Sequence, residues 1–239
     1  MKNIILFSLL FATGFTFASD RPDHSIFDRL LKEYVSSSGK VNYKGMKTKM
    51  DSLDKYLLEL RTIAPASDWK RNERKAYYVN AYNAYTLKLV LTKYPVKSVK
   101  DISFSGKDLW TVRLANLGGK AYSLGHIENQ ILRKMGDPRI HFAINCASYS
   151  CPRIWNHAYT AANISGRMTK LTKEYINNPK HNIITAKKIK ISKLFEWYAS
   201  DFVKEGQTLI DFLNKYSTIK ILPGAKVEYL PYNWTLNEQ

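Results

Sequence analysis

Apolar residues recur along most of this chain at helical spacing, and only a few short stretches alternate. Over residues 25–35, Ile26, Leu30 and Leu31 share one face, and Asp23 or Ser25 stands where a cap is needed. The SSSG stretch at 36–39 is a turn, and VNYKGM after it predicts a short strand or extended segment. Met50, Leu53, Leu57 and Leu60 mark a second amphipathic helix over 48–63, closed by Ala64-Pro65. From Ala76 to Leu91 the pattern is apolar nearly all round. That predicts a helix over 71–94 buried on most sides and stopped by Pro95.

The second half is more broken. Residues 96–119 are mixed, and Gly118-Gly119 followed by 120–124 predicts a hairpin. Ser123 caps a helix that ends before Gly136. In DPRIHFAIN, Ile140, Phe142 and Ile144 alternate with His141, Ala143 and Asn145, which predicts a strand with one apolar face. CASYSCP reads as a polar turn. A helix is expected around 160–178, a strand near 183–191, a helix after Ser192, a further helix in TLIDFLNKY, and an extended tail in VEYLPYNW. The expected class is α+β: one mostly helical domain over 19–239 with a small antiparallel sheet.

The first residues change the compartment. Lys2 precedes the apolar run Ile4–Phe17, and Thr16 and Ala18 supply the small residues of a cut after Ala18. This is the layout of a signal peptide over 1–18, and the run is shorter than the roughly 20 residues of a spanning helix. The expectation is a periplasmic or secreted chain that is not transmembrane. Charge then narrows the partners. Lys and Arg number 37 against 20 acids, a net charge of +17, and +16 once Lys2 is removed. Such a charge favours anionic envelope polymers or lipid surfaces. The basic residues form no block and no nucleic-acid motif, so nucleic acid is excluded as a partner. A monomer without a cofactor is expected.

Candidate chemistry centres on the two cysteines. In an oxidising compartment Cys146 and Cys151 are close enough in a loop to form a disulfide. Alternatively Cys146 is a nucleophile served by His141 or His126, since a thiol reacts as its thiolate. A bridged Cys146 cannot attack, so the two readings compete. Asn80 and Asn83, three apart on the buried helix, either satisfy backbone groups or orient an imidazole or ligand carbonyl. Ser148 and Ser150 are hydroxyl donors or helix caps, and Glu128 caps or pairs with Arg133. A zinc site from His126, Glu128, His141 and Cys146 lacks any HExxH or CxxC spacing, so no metal is expected.

The blocks YVNAYNAYTLKLVLTKYP, SLGHIENQILRK, DPRIHFAINCASYSCP, LFEWYASDF and YLPYNWTLN, in this order, resemble the DUF547 family, in its exported bacterial form. The resemblance runs over residues 25–237. It marks Asn80, Asn83, Glu128, His141, Ser148 and Pro152, and implies no reaction. This chain departs from the family's pattern at Gly125, His126 and Asn129, and again at Asn233. The cysteines vary within the family, which leaves His141 the steadier candidate. Two functions are expected. One is a thiol-dependent hydrolase or transferase of the cell envelope, analogous to papain-like enzymes. The other is a non-catalytic basic module that binds anionic envelope components.

Overall fold

The computed structural model describes residues 21–203 and 205–239. The expected signal peptide lies outside them. Helix α1 (Ser25–Tyr34) buries Phe27, Leu30, Leu31 and Tyr34. Asp23 accepts the backbone N–H of Ser25 just ahead of it, at 2.8 Å. Helix α2 (Tyr43–Lys47) replaces the extended segment expected there. Its cause is local: the Asn42 side chain accepts Gly45 N–H at 2.8 Å and caps the turn. Helix α3 (Met50–Thr62) then packs against α4 (Arg71–Lys93), which is enclosed over nearly its whole length. The Tyr77 hydroxyl donates to the carbonyls of Leu60 and Ile63 and ties α4 to the end of α3.

Strands β1 (Ser103–Phe104) and β2 (Lys107–Asp108) form one small hairpin. Strands β3 (Ala115–Leu117) and β4 (Lys120–Tyr122) form the hairpin expected around Gly118-Gly119. Gly118 sits at φ +55, where a Cβ would lie 2.2 Å from that of Ala64, so only glycine fits. The amides of Gly118 and Gly119 donate to the carbonyls of Leu60 and Arg61, which lets the hairpin cap α3.

Ser123 accepts His126 N–H, as a cap should, and starts α5 (Leu124–His126). The helix then widens into a π-helical turn over Ile127–Leu132 and tightens to a 3-10 turn over Arg133–Met135. Such π turns recur at functional sites. The strand expected at 137–145 does not form; Pro138–Phe142 is a 3-10 helix. Pro138 stands at its first position, and the Asp137 side chain accepts Arg139 N–H at 3.2 Å. Every residue from Ile140 to Asn145 is buried, so the apolar alternation had no solvent face to report.

Helix α6 (Ile164–Ile176) follows as expected. The region 183–191 holds two strands, β5 (Ile183–Ile184) and β6 (Lys188–Ser192), paired antiparallel. The helix after Ser192 is split at Tyr198 into α7 (Leu194–Trp197) and α8 (Ala199–Phe202), and α9 (Leu209–Asn214) comes next. The tail expected to be merely extended becomes β7 (Lys226–Leu230), parallel to β6. The architecture is α+β, with two antiparallel hairpins and a mixed three-stranded sheet around a continuous hydrophobic core. Among the described residues no helix is long and apolar enough to cross a membrane.

Candidate active site

The loop after the 3-10 helix is held from two directions. From α4, Asn83 donates to Ala143 O at 3.0 Å and accepts Asn145 N–H at 2.8 Å. Asn145 in turn accepts Ala147 N–H at 2.9 Å and donates to Pro152 O at 2.8 Å. From the other side comes the stretch after β7. Tyr149 and Ser150 donate their amides to Thr235 O and Asn233 O, and Asn237 donates its amide to Ala147 O. Ala147 is fixed between these anchors in the left-handed region, at φ +64. An L side chain there costs about 1 kcal/mol relative to glycine. Ala147→Gly is therefore expected to leave the fold intact and raise the urea midpoint slightly. A lower midpoint would show that the methyl group's packing outweighs the strain.

This loop presents Cys146 to a cavity of about 270 Å³. The Cys146 sulfur lies 3.0 Å from Ser148 Oγ and 3.6 Å from Tyr232 Oη, and these two hydroxyls are 2.8 Å apart. The Cys146 amide donates to the sulfur of Cys151 at 3.2 Å. Both cysteines are free thiols. The Cys146 thiol is held below its ordinary pKa, first by a hydrogen bond from Cys151 and then by those from Ser148 and Tyr232, against burial. Burial pushes the Cys151 thiol and the Tyr232 phenol up, so both stay protonated and donate. The polarised sulfur of the pair is that of Cys146.

His141 stands on another wall of the same cavity and is buried. Its partner is not Cys146. His141 Nε2 lies 2.7 Å from Asp201 Oδ2, and its ring packs at a tilt on that of Tyr198, with centroids 4.0 Å apart. Arg133 holds both oxygens of Asp201, at 2.6 Å from Nε and 2.9 Å from Nη2, and Asn129 accepts from Arg133 Nη1. Burial pushes the Asp201 carboxyl up, but the hydrogen bonds from His141 and Arg133 more than reverse this and hold it well below the usual carboxylate range. A fixed anion on Nε2 leaves Nδ1 as the ring's other proton-carrying position.

Glu128 faces the cavity from the π-helical turn and does not pair with Arg133. It accepts from the Tyr82 hydroxyl at 3.1 Å, and the Tyr198 phenol, whose pKa burial and the Glu128 carboxylate raise, stands beside it. Trp110, Trp197, Tyr232 and Trp234 complete the walls.

The structure thus brings together Glu128, His141, Cys146 and Ser148 of the sequence-derived candidates. Ser148 neither caps a helix nor faces an open groove; it is buried against the cysteine. Ser150 accepts Asn233 N–H. Asn80 and Asn83 do not line the cavity. Asn80 clasps both backbone groups of Tyr159, at 2.8 and 2.9 Å, and Asn83 clasps the loop. Their buried amides satisfy backbone groups, one of the two roles expected of them. His126 is exposed, packs on Tyr122, and stays outside the cavity. Asp201, Tyr82, Tyr198, Tyr232 and the three tryptophans were missed. The available signal was the aromatic density of LFEWYASDF and YLPYNW, blocks that the pattern of faces alone treated as helix and tail.

Residues 66–176 match the model of the family described as DUF547, protein of unknown function. The match covers Asn80, Asn83, Glu128, His141, both cysteines and Ser148, and over those residues the chain is similar to that family. Asp201, Trp197, Tyr198, Tyr232 and Trp234 lie beyond it. No curated protein and no solved structure matches the chain.

Proposed function

We propose that the cavity is the active site of a thiol-dependent hydrolase or transferase of the cell envelope, with Cys146 as nucleophile. One observation carries the reading: the Cys146 sulfur lies against the hydroxyls of Ser148 and Tyr232 at the wall of a cavity it shares with the buried His141, which is held by Asp201 and Arg133. Donors that lower a thiol pKa raise the thiolate fraction at neutral pH. The thiolate attacks an electrophilic carbon of the substrate and forms a thioester or related adduct as the leaving group departs. Water or a second acceptor then releases it. His141, fixed by Asp201, is the group assigned to move the leaving-group proton. The N-terminal signal pattern of the sequence is what supports the envelope as the compartment.

Alkylation of the protein by iodoacetamide as a function of pH tests this. Cys146 is expected to react with a midpoint below that of an ordinary thiol, and Cys151 to resist. Ser148→Ala or Tyr232→Phe should each move the Cys146 midpoint upward. An ordinary midpoint that ignores both replacements removes the nucleophile. A Cys146–Cys151 disulfide in the purified protein, refractory to mild reductant, would remove it as well and restore the structural alternative.

A second reading rests on one surface feature. Lys188, Lys190 and Lys226 gather around the single carboxylate of Glu228 on the sheet. Excess positive charge there suits anionic envelope polymers or lipid head groups. Retention on anionic vesicles that fades with salt supports it, and equal retention on neutral vesicles counts against it.

A further inference from the structure

The charge of the cavity is opposite in sign to that of the protein. The chain carries 37 lysines and arginines against 20 acids. None of those cations lines the cavity, and the one carboxylate that does is Glu128. Glu128 is only 4% exposed. Its neighbours are the phenols of Tyr82 and Tyr198, and no lysine, arginine or histidine of the described residues reaches it at ion-pair distance. Arg133, whose charge acts on Glu128 from beyond ion-pair distance, is committed to both oxygens of Asp201. A buried carboxylate without a counter-ion is costly, and a cation arriving beside it recovers that cost.

The walls favour a particular kind of cation. Trp110, Trp197, Tyr232 and Trp234 present indole and phenol rings, whose faces carry negative potential. Trp197 packs on Trp234 and Tyr232 yet remains 45% exposed. Aromatic faces attract weakly hydrated, diffuse cations more than small, strongly hydrated ones. A metal ion needs several oxygen ligands, and one carboxylate among rings does not supply them. An anion would meet the Glu128 carboxylate and the ring faces, with only Lys100 over the Trp234 ring at 4.8 Å and Arg133 over the Tyr198 ring at 5.2 Å to offset them.

We propose that this cavity binds an ammonium group, most favourably an alkylated one, with its charge against Glu128 and its alkyl groups on the tryptophan and tyrosine rings. The proposal rests on the reading of this cavity as the functional site, and it names the substrate class: a molecule bearing an ammonium head, with its reactive carbon directed to Cys146. The basic surface repels such a ligand at long range, so selectivity comes from the interior of the cavity.

Three of the five tryptophans line the cavity, so intrinsic fluorescence reports on it. Full-length mature protein is titrated with choline, tetramethylammonium, methylammonium and 3,3-dimethylbutan-1-ol, the uncharged counterpart of choline. Choline and tetramethylammonium are expected to give a saturable change. The uncharged alcohol should require at least about tenfold more ligand. Weaker binding of methylammonium than of tetramethylammonium is expected, and tighter binding overturns the preference for an alkylated head. Glu128→Gln, matched to wild type by circular dichroism and melting, should lose choline binding by about tenfold or more. Equal affinity for choline and the alcohol, or no saturable change with any of the cations, overturns the proposal. So does an unaltered choline affinity in a folded Glu128→Gln protein. If choline binds while Cys146 shows an ordinary thiol titration, the thiol reading fails and the cation site stands. If Cys146 is activated and no ammonium ligand binds, the reverse holds.

Discussion

Asn83→Ala is expected to lower the unfolding free energy by about 3 kcal/mol, because it strands two buried backbone groups at once. The side chain donates to Ala143 O and accepts from Asn145 N–H, and all three residues are buried. Water has no access to replace either bond, and each unsatisfied group costs roughly 1–3 kcal/mol. The loss should not stop at stability. The clasp fixes the backbone just before Cys146, so the thiol titration should drift back toward that of an ordinary cysteine. Thr92→Ala, which removes an exposed hydroxyl bonded to Lys88 O, should change stability by less than about 0.5 kcal/mol and serves as the comparison. Urea titrations of the two variants decide it. A cost below about 1 kcal/mol for Asn83→Ala would mean that the loop finds other partners.

A second large effect is expected at Asp137. Its carboxylate accepts Lys75 Nζ at 2.6 Å and Arg139 Nη2 at 2.8 Å, and it caps the 3-10 helix that carries His141. The Lys75 and Asp137 side chains are 4% and 11% exposed. Asp137→Ala leaves the lysine ammonium buried without its anion, a loss of about 3–5 kcal/mol, with the cap a smaller part of it. Adding Lys75→Met should recover part of the stability, since the stranded charge is then gone.

The pH dependence has a definite sign. Burial pushes the Asp137 carboxyl up, but hydrogen bonds from Arg139 and Lys75 outweigh it and hold the folded-state value well below the usual range. Its contribution is therefore complete above the unfolded value near 4 and is lost as pH falls toward the depressed folded one. Asp201 is shifted in the same direction and acts in the same window. Melting temperature measured from pH 7 down to 2 should fall more steeply below about pH 4 in wild type than in Asp137→Ala. Parallel curves would show that the pair contributes nothing to the acid limb.

The sequence revealed the long elements and little of the way they meet. Helix α4 was legible because fifteen or more consecutive positions between Ala76 and Leu91 could not all be solvent-facing. Helices α1 and α3 followed from one-sided apolar spacing. The segment 138–142 was misread because periodicity reports a face only when the other face is wet, and here both are covered. Helix α2 was missed for a different reason: one capping side chain, Asn42, decides a five-residue helix that propensity alone does not. At the site, the polar residues of the loop were legible as unusual in an apolar setting. Which groups they meet was not. His141 faces Asp201 from 60 residues away, and Ser148 meets Tyr232 from 84 residues away. No local pattern encodes such a pairing, and neither aspartate nor tyrosine is rare enough to draw attention.

The stretch after β7 has a consequence for the order of folding. Its backbone pairs with Ser98, Val41 and Ser148, and it delivers Tyr232 and Trp234 to the cavity. Contacts of such wide sequence separation carry the closure entropy of a long loop before they return any stability. Docking of this stretch thus belongs to the late part of folding, after α3 and α4 have paired through their short connection. Until then the Cys146 sulfur lacks its Tyr232 donor and has only the partners of its own loop, Cys151 and Ser148. The last donor to the sulfur is thus also the last piece of wall: the cavity closes and the hydrogen bonding of Cys146 is completed in one step.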